Sequence, residues 1–198
     1  MDTLKLHREH VQSSTSQVWE NLDRFAERDS KLSQALDVAR EAISGHVTID
    51  IGCGAEDFMA NRIIDQGGEY IGVDRLKRGP FSIPKAVFVH DDALQFISSP
   101  KSMESYRKKG CNFVINGFEG GSITEDYTTV RMLVQQMVAK MTPGSVIFGV
   151  NSPAIAEHLT RNESLEPLYE YSENGSTAQA GGRRFFVYRF KGYDLDEV

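Results

Sequence analysis

The sequence predicts an α/β domain: a mainly parallel sheet covered by helices on both faces and closed by an antiparallel strand. Three observations carry this. The apolar period switches from helical to strand-like at His46. Beyond it, short β-branched runs alternate with helical stripes. The chain then ends in two strand-like runs joined by a polar stretch.

Residues 5–44 read as helical. Val18, Trp19, Leu22, Phe25 and Ala26 recur at helical spacing, as do Leu32, Ala35, Leu36, Ala39, Ala42 and Ile43. Ser30 stands between the two sets as an N-cap, and Gly45 stands where a C-cap glycine belongs. Val47–Ile51 is the first strand, ending at Gly52. A helix is expected over Glu56–Gln66, stopped by Gly67 and Gly68. Tyr70–Val73 and Ala86–Val89 are the next strands, separated by a loop over Arg75–Pro84. Helices are expected after Asp92 and over 101–109, and Phe113–Ile115 is the fourth strand. Tyr127, Val130, Val134, Met137, Val138 and Met141 form a helical stripe, and Met132, Met137 and Met141 are expected in the core. Pro143-Gly144 breaks that helix before a fifth strand over Ser145–Val150. Pro153 suits the first turn of another helix. Leu168–Tyr171 and Arg184–Phe190 form a hairpin across the polar Ser172–Gly182 stretch.

A length of 198 residues suits one domain with a full core. The net charge of −6 argues against broad nonspecific binding to nucleic acid. No apolar run is long enough to span a bilayer, and Met1–Lys5 lacks the basic start of a signal peptide. Cys53 and Cys111 have no metal-ligand spacing, so no metal site is expected. Their small number points to a reducing, cytoplasmic setting.

The strongest chemical signal is Ile49-Asp50-Ile51-Gly52-Cys53-Gly54-Ala55-Glu56. A glycine pair directly after a strand lets the backbone pass close to a ligand. Asp74 ends the second strand 20 residues beyond Gly54, where a doubly wound fold puts a carboxylate on ribose hydroxyls. Asp91 and Asp92 end the third strand, on the same carboxyl edge. A nicotinamide site wants a third glycine three positions beyond Gly54, where this chain has Asp57. That acid would repel a pyrophosphate. A cationic, phosphate-free nucleoside suits Asp50, Glu56 and Asp57 better.

In these residues the chain resembles the class I S-adenosylmethionine-dependent methyltransferases over about residues 46–190. Val47–Gly54 matches the family's first motif, Tyr70–Asp74 the second and Val87–Ala93 the third. Cys111–Asn116 looks like its fourth strand, and Met141–Ser145 like its turn into the fifth. The resemblance implies a seven-stranded sheet with the last strand antiparallel, S-adenosyl-L-methionine as cofactor, and residues 1–45 as an N-terminal helical cap on a compact unit, 46–198. The family often has a glycine where Glu56 stands. The fourth strand ends in Asn116-Gly117-Phe118-Glu119 instead of the Asn-Pro-Pro-aromatic run of amide and base N-methyltransferases.

Carried over, the resemblance implies a cofactor-binding set of Asp50, Gly52, Cys53, Gly54, Asp74, Arg75, Asp91, Asp92, Ala93 and Asn116. Gly52 and Gly54 would line the methionine moiety and Asp74 would hold the ribose. Asp92 would face the adenine amino group beside the Ala93 amide, although the adjacent Asp91 competes for that place and either acid could instead cap the next helix. Asn116 would face the sulfonium and the acceptor. No catalytic residue is assigned; Asn116 and His90 are the candidates. Trp19, Leu22 and Phe25 are expected on one helix face, where they either wall the acceptor pocket, with polar residues 12–17 loosening the entry, or only seat the N-terminal helix. The expected function is methyl transfer to a small-molecule acceptor by in-line attack on the sulfonium methyl. Two other readings fit the same residues. One is a protein or RNA methyltransferase docking through Arg75, Lys77, Arg78, Arg183 and Arg184. The other is a non-catalytic S-adenosylmethionine-binding module. Oligomeric state stays open.

Overall fold

The computed structural model describes residues 19–20, 22–54, 57–76, 79–80, 82–107, 109–116, 127–150, 153–172 and 184–192. Their strands are β1 (Val47–Ile51), β2 (Glu69–Asp74), β3 (Ala86–His90), β4 (Cys111–Asn116), β5 (Val146–Val150), β6 (Leu165–Ser172) and β7 (Arg184–Phe190). They form one sheet in the order β3-β2-β1-β4-β5-β7-β6. The first five run parallel, and β7 enters antiparallel between β5 and β6. Chain order reverses direction at β1, between β2 and β4. In open α/β sheets that reversal leaves a crevice at the carboxyl ends of the strands.

Helices α1 (Ser30–Gly45) and α2 (Phe58–Asp65) cover one face; α3 (Ala93–Ser98), α4 (Pro100–Arg107), α5 (Tyr127–Val138) and α6 (Pro153–Thr160) cover the other. The strand alternation assigns side chains to these faces. Val47, Ile49 and Ile51, with Phe113, Ile115 and Ile147, pack under α3, α5 and α6. Val114, Val146, Phe148 and Val150 pack under α1 and α2. The central strands are buried on both sides, which is why they read as nearly continuous apolar runs.

The α1 face also buries a polar clamp. Asn112 Nδ2 donates to Ala42 O at 3.0 Å, and its Oδ1 accepts from Val146 N at 3.0 Å. One side chain thus joins the end of α1 to the start of β5, with both its polar groups satisfied.

Four expectations shift. The N-cap of α1 is Asp29, not Ser30: its carboxylate accepts from Lys31 N and Leu32 N at 3.0 and 3.1 Å and from the Tyr169 hydroxyl at 3.0 Å. The carboxylate thus serves both the helix end and β6. Gly45 is the last helical residue, and the chain leaves it through an extended His46 rather than a left-handed glycine. β6 starts at Leu165, ahead of Pro167, because it is an edge strand with an irregularity between Pro167 and Tyr169 that tolerates the missing N–H. Phe25 (58% exposed) and Met132 (47% exposed) point outward, whereas Trp19, Leu22, Met137 and Met141 are buried.

Helix α1 packs against β5, β6 and β7. Over residues 30–45 the N-terminal segment is therefore a layer of the sheet's own core. Residues 12–17 lie outside the described residues. Among the described residues no helix is long and apolar enough to cross a membrane.

Candidate functional site

The carboxyl ends of β1–β4 lie along one edge of the sheet. After β1 the chain turns through Gly52 (φ 73°) and Gly54 (φ 67°), left-handed conformations that favour glycine. The turn is fastened to β2: Gly52 N and Cys53 N donate to Val73 O at 2.8 and 3.3 Å. Asp74, at the end of β2, completes the fastening. One carboxylate oxygen accepts from Gly54 N at 2.8 Å and the other from Leu76 N at 2.7 Å. The strand-end acid and the glycine turn, 20 residues apart in the chain, are thus one unit. Each carboxylate oxygen keeps a further lone pair for a ligand hydroxyl. Cys53 is half-buried in the same turn, its thiol donating to Gly54 O at 3.7 Å.

Asp50 lies beneath this turn, on the α2 side of β1. Its cross-strand neighbour is Gly72, which leaves room for the carboxylate. Tyr70 donates its hydroxyl to Asp50 Oδ2 at 2.7 Å, while Oδ1 is buried without a hydrogen-bond partner among the described residues. Burial pushes the Asp50 carboxyl up to about 7, against the Tyr70 hydrogen bond and with help from the Asp74 charge. A buried carboxylate oxygen left unpaired is costly, and a cation or a proton would relieve it.

At the end of β3, Asp92 caps α3 by accepting from Gln95 N at 3.0 Å. It also accepts from Arg75 Nε at 2.8 Å, and the Arg75 terminal nitrogen closes the ion pair. Burial raises the Asp92 carboxyl, but the Gln95 amide and the Arg75 guanidinium overcome it and hold the group below its usual range. Asp91 Oδ1 accepts from Asp92 N at 2.8 Å. Ala93 opens α3 with its methyl in the core. Arg75 therefore joins the β2 and β3 loops, a pairing that the loop sequence did not signal.

The two catalytic candidates are far apart. His90 pairs with Asp74 across β2–β3, and its Nε2 meets Arg75 O at 2.8 Å. A carbonyl only accepts, so Nε2 carries the hydrogen. Asn116 ends β4. The sheet order puts three strand spacings between β3 and β4, about 14 Å at ~4.8 Å each. The two do not act on one atom.

Asn116 has a partner that sequence reading missed. Trp19 Nε1 donates to Asn116 Oδ1 at 3.2 Å. The indole is 1% exposed and stands edge-on to Phe148 and Phe185, with ring centroids 5.8 and 5.3 Å away. The Arg62 guanidinium lies 5.1 Å from its ring centroid and is itself fixed by two bonds to Asp23 at 2.8 and 2.9 Å. Glu56, Lys77, Arg78, Gly117, Phe118, Glu119 and Arg183 lie outside the described residues. Among the described residues no three His, Cys, Asp or Glu side chains are grouped to hold a metal ion.

This edge belongs to a known architecture. The N-methyltransferase NodS from Bradyrhizobium japonicum superposes with a TM-score of 0.56 at 18% identity, over 84% of this chain and 97% of that one. The fold is that of the class I methyltransferases. Magnesium protoporphyrin IX methyltransferase from Synechocystis, solved with bound S-adenosylmethionine, superposes with a TM-score of 0.54 at 12% identity, over 96% of this chain and 98% of that one. The Burkholderia thailandensis 1,6-didemethyltoxoflavin-N1-methyltransferase gives 0.51 at 12% identity, over 96% and 89%. No family model and no curated protein sequence matches the chain. The methyltransferase fold is thus recognisable through its sheet order and antiparallel β7, at identities where sequence likeness has faded.

Proposed function

We propose that this chain binds S-adenosyl-L-methionine at the ends of β1 and β2 and transfers its methyl group to a small-molecule acceptor beside β4. One observation carries the reading: Asp74 and the Gly52–Gly54 turn are tied into one cradle at the carboxyl edge of a methyltransferase fold. The residues fit the cofactor. The orphaned, buried Oδ1 of Asp50 wants a cationic neighbour, and the cofactor's methionine end carries an ammonium and a sulfonium. Asp74 offers its remaining lone pairs to ribose hydroxyls, the glycine turn admits the methionine moiety, and Asp91, Asp92 and Ala93 bound the adenine side.

When bound, S-adenosylmethionine supplies an electrophilic methyl on sulfur. The chain's contribution is alignment: the fastened turn holds the donor side and Asn116 the acceptor side. Holding two reactants in line and excluding water supplies on the order of several kcal/mol without a dedicated base. The small-molecule reading over a macromolecular one rests on Arg75. The Asp92 carboxylate beside its guanidinium offsets its charge, which weakens the basic patch that a phosphate backbone or an acidic protein would need.

The test is calorimetry with S-adenosylmethionine, S-adenosylhomocysteine and NAD. Micromolar binding of the first two and none of NAD is expected. Tight NAD binding with silence from the other two overturns the reading.

A further inference from the structure

We infer that Trp19 turns Asn116 into a hydrogen-bond donor at the methyl-transfer site, which selects an acceptor that attacks through an anionic oxygen, such as a carboxylate or phenolate, over an amine. The inference rests on the cofactor reading above and adds the acceptor's chemistry.

The orientation follows from donor rules. An indole Nε1–H only donates, and an amide has one accepting atom, its oxygen. The atom of Asn116 that faces Trp19 at 3.2 Å is therefore Oδ1, and the amide cannot be flipped without setting two donors against each other. The indole cannot swing away to allow it. It is buried between Phe148 and Phe185, with Arg62 over its face. Asn116 itself is half-buried at the carboxyl end of β4, in register with Val150 of β5, and β4 is the strand beside β1 and its glycine turn. Oδ1 keeps a second lone pair, but the amide turns that oxygen toward the buried indole; the group turned away from the indole is the NH2, which brings two donors and no acceptor.

An amine acceptor would meet that NH2 with donors of its own and leave buried polar groups unpaired, the kind of mismatch that sites reject strongly. An anionic oxygen meets it with lone pairs. The oxygen's lone pair forms the new bond to the methyl carbon as the carbon–sulfur bond breaks, and that bond's electrons stay on sulfur. An oxygen that is already anionic releases no proton. That agrees with the position of His90, the base candidate, three strands away on β3.

The chain has one tryptophan, so its indole N–H is a single resonance that reports on the Asn116 contact. The experiment titrates acetate, then methylammonium, into the S-adenosylhomocysteine-loaded protein at fixed ionic strength, and follows that resonance and the Asn116 side-chain NH2 pair. Acetate is expected to shift both saturably, with methylammonium at least tenfold weaker. Asn116→Asp keeps an oxygen for Trp19 and replaces the donor with an acceptor. In that variant the order seen by the indole resonance should reverse. Methylammonium equal to or stronger than acetate on the natural chain overturns the inference, as does silence from both. So does an NH2 pair that moves with S-adenosylhomocysteine and then ignores acetate, because the amide would then serve the cofactor. Calorimetry separates the two levels. A chain that does not bind S-adenosylhomocysteine fails the cofactor reading and this inference together, whereas one that binds it without the acetate response fails this inference alone.

Discussion

At the β1–β2 end of the carboxyl edge, side chains are held by backbone amides close at hand: Asp74 by Gly54 N and Leu76 N, Asp91 by Asp92 N. At the β4 end, Asn116 is held by an indole 97 residues away in the chain, itself fixed by aromatic rings from β5 and β7. The first half is a local device, a turn and a strand end that would be recognisable in any doubly wound sheet. The second half exists only once α1, β5 and β7 have assembled around Trp19. One sheet edge can thus carry one end fastened by local contacts and another fastened only by long-range packing.

The contrast can be broken first at Trp19. Trp19→Ala removes a fully buried ring and should cost about 3–5 kcal/mol, read as a lower denaturant midpoint at unchanged slope. Cofactor affinity in the folded fraction should change less than about threefold. A large loss of affinity would mean that the two halves are one unit.

Asp74→Ala is the converse. Charge-assisted bonds to ribose hydroxyls are worth about 1.5–3 kcal/mol each and are not additive, so cofactor affinity should fall roughly 10- to 100-fold. From sequence alone the empty protein's melting midpoint would be expected to stay put. The structure changes that expectation, because Gly54 N and Leu76 N lose their acceptor. A drop of about 2–8 °C is expected, from ~1–2 kcal/mol. Unaltered affinity would reduce Asp74 to a loop acid.

Asp50 sharpens the contrast through pH. Its folded carboxyl, at about 7, lies above the ordinary 3.8, so the folded state holds the proton more tightly than the unfolded chain. Stability of the empty protein should therefore fall as pH rises through that window and level off above it, by about 2–4 kcal/mol in all. Asp50→Asn should flatten this slope and raise stability at pH 8. A cationic ligand beside Asp50 should displace its proton, so cofactor affinity should rise between pH 6 and 8 in the natural chain only. Calorimetry in two buffers of different ionisation enthalpy reads that proton; equal heats would exclude the coupling.

The smallest effect belongs to Arg75. Its side chain is 58% exposed, and such pairs contribute about 0–1 kcal/mol. Arg75→Ala should leave stability nearly unchanged and weaken cofactor binding less than about fivefold. A larger loss would make the guanidinium a direct ligand contact.

How much was legible follows the same division. The strands announced themselves because β1, β4 and β5 are buried on both faces and so carry nearly continuous apolar runs. The glycine turn and Asp74 could be read from spacing, since the geometry they serve is local to two strands. The cap at Asp29 was one residue from the Ser30 expected, because its second role, accepting from Tyr169, is a contact across 140 residues. Arg75 looked like part of a basic patch until Asp92 was seen to hold it, 17 residues on. Nothing in the local sequence of Trp19 or Asn116 announces their bond. An aromatic at helical spacing and a polar strand end each have commoner explanations, and only the packed sheet brings them together.

The most direct measurement is a crystal structure with S-adenosylhomocysteine bound. The nucleoside is expected across the carboxyl ends of β1 and β2, with both ribose hydroxyls on Asp74, the ammonium on the Asp50 side of the glycine turn, and Asn116 Oδ1 still on Trp19 with its NH2 turned away from the indole. A nucleoside bound elsewhere, or an Asp74 that touches only Gly54 and Leu76 in the complex, would contradict it.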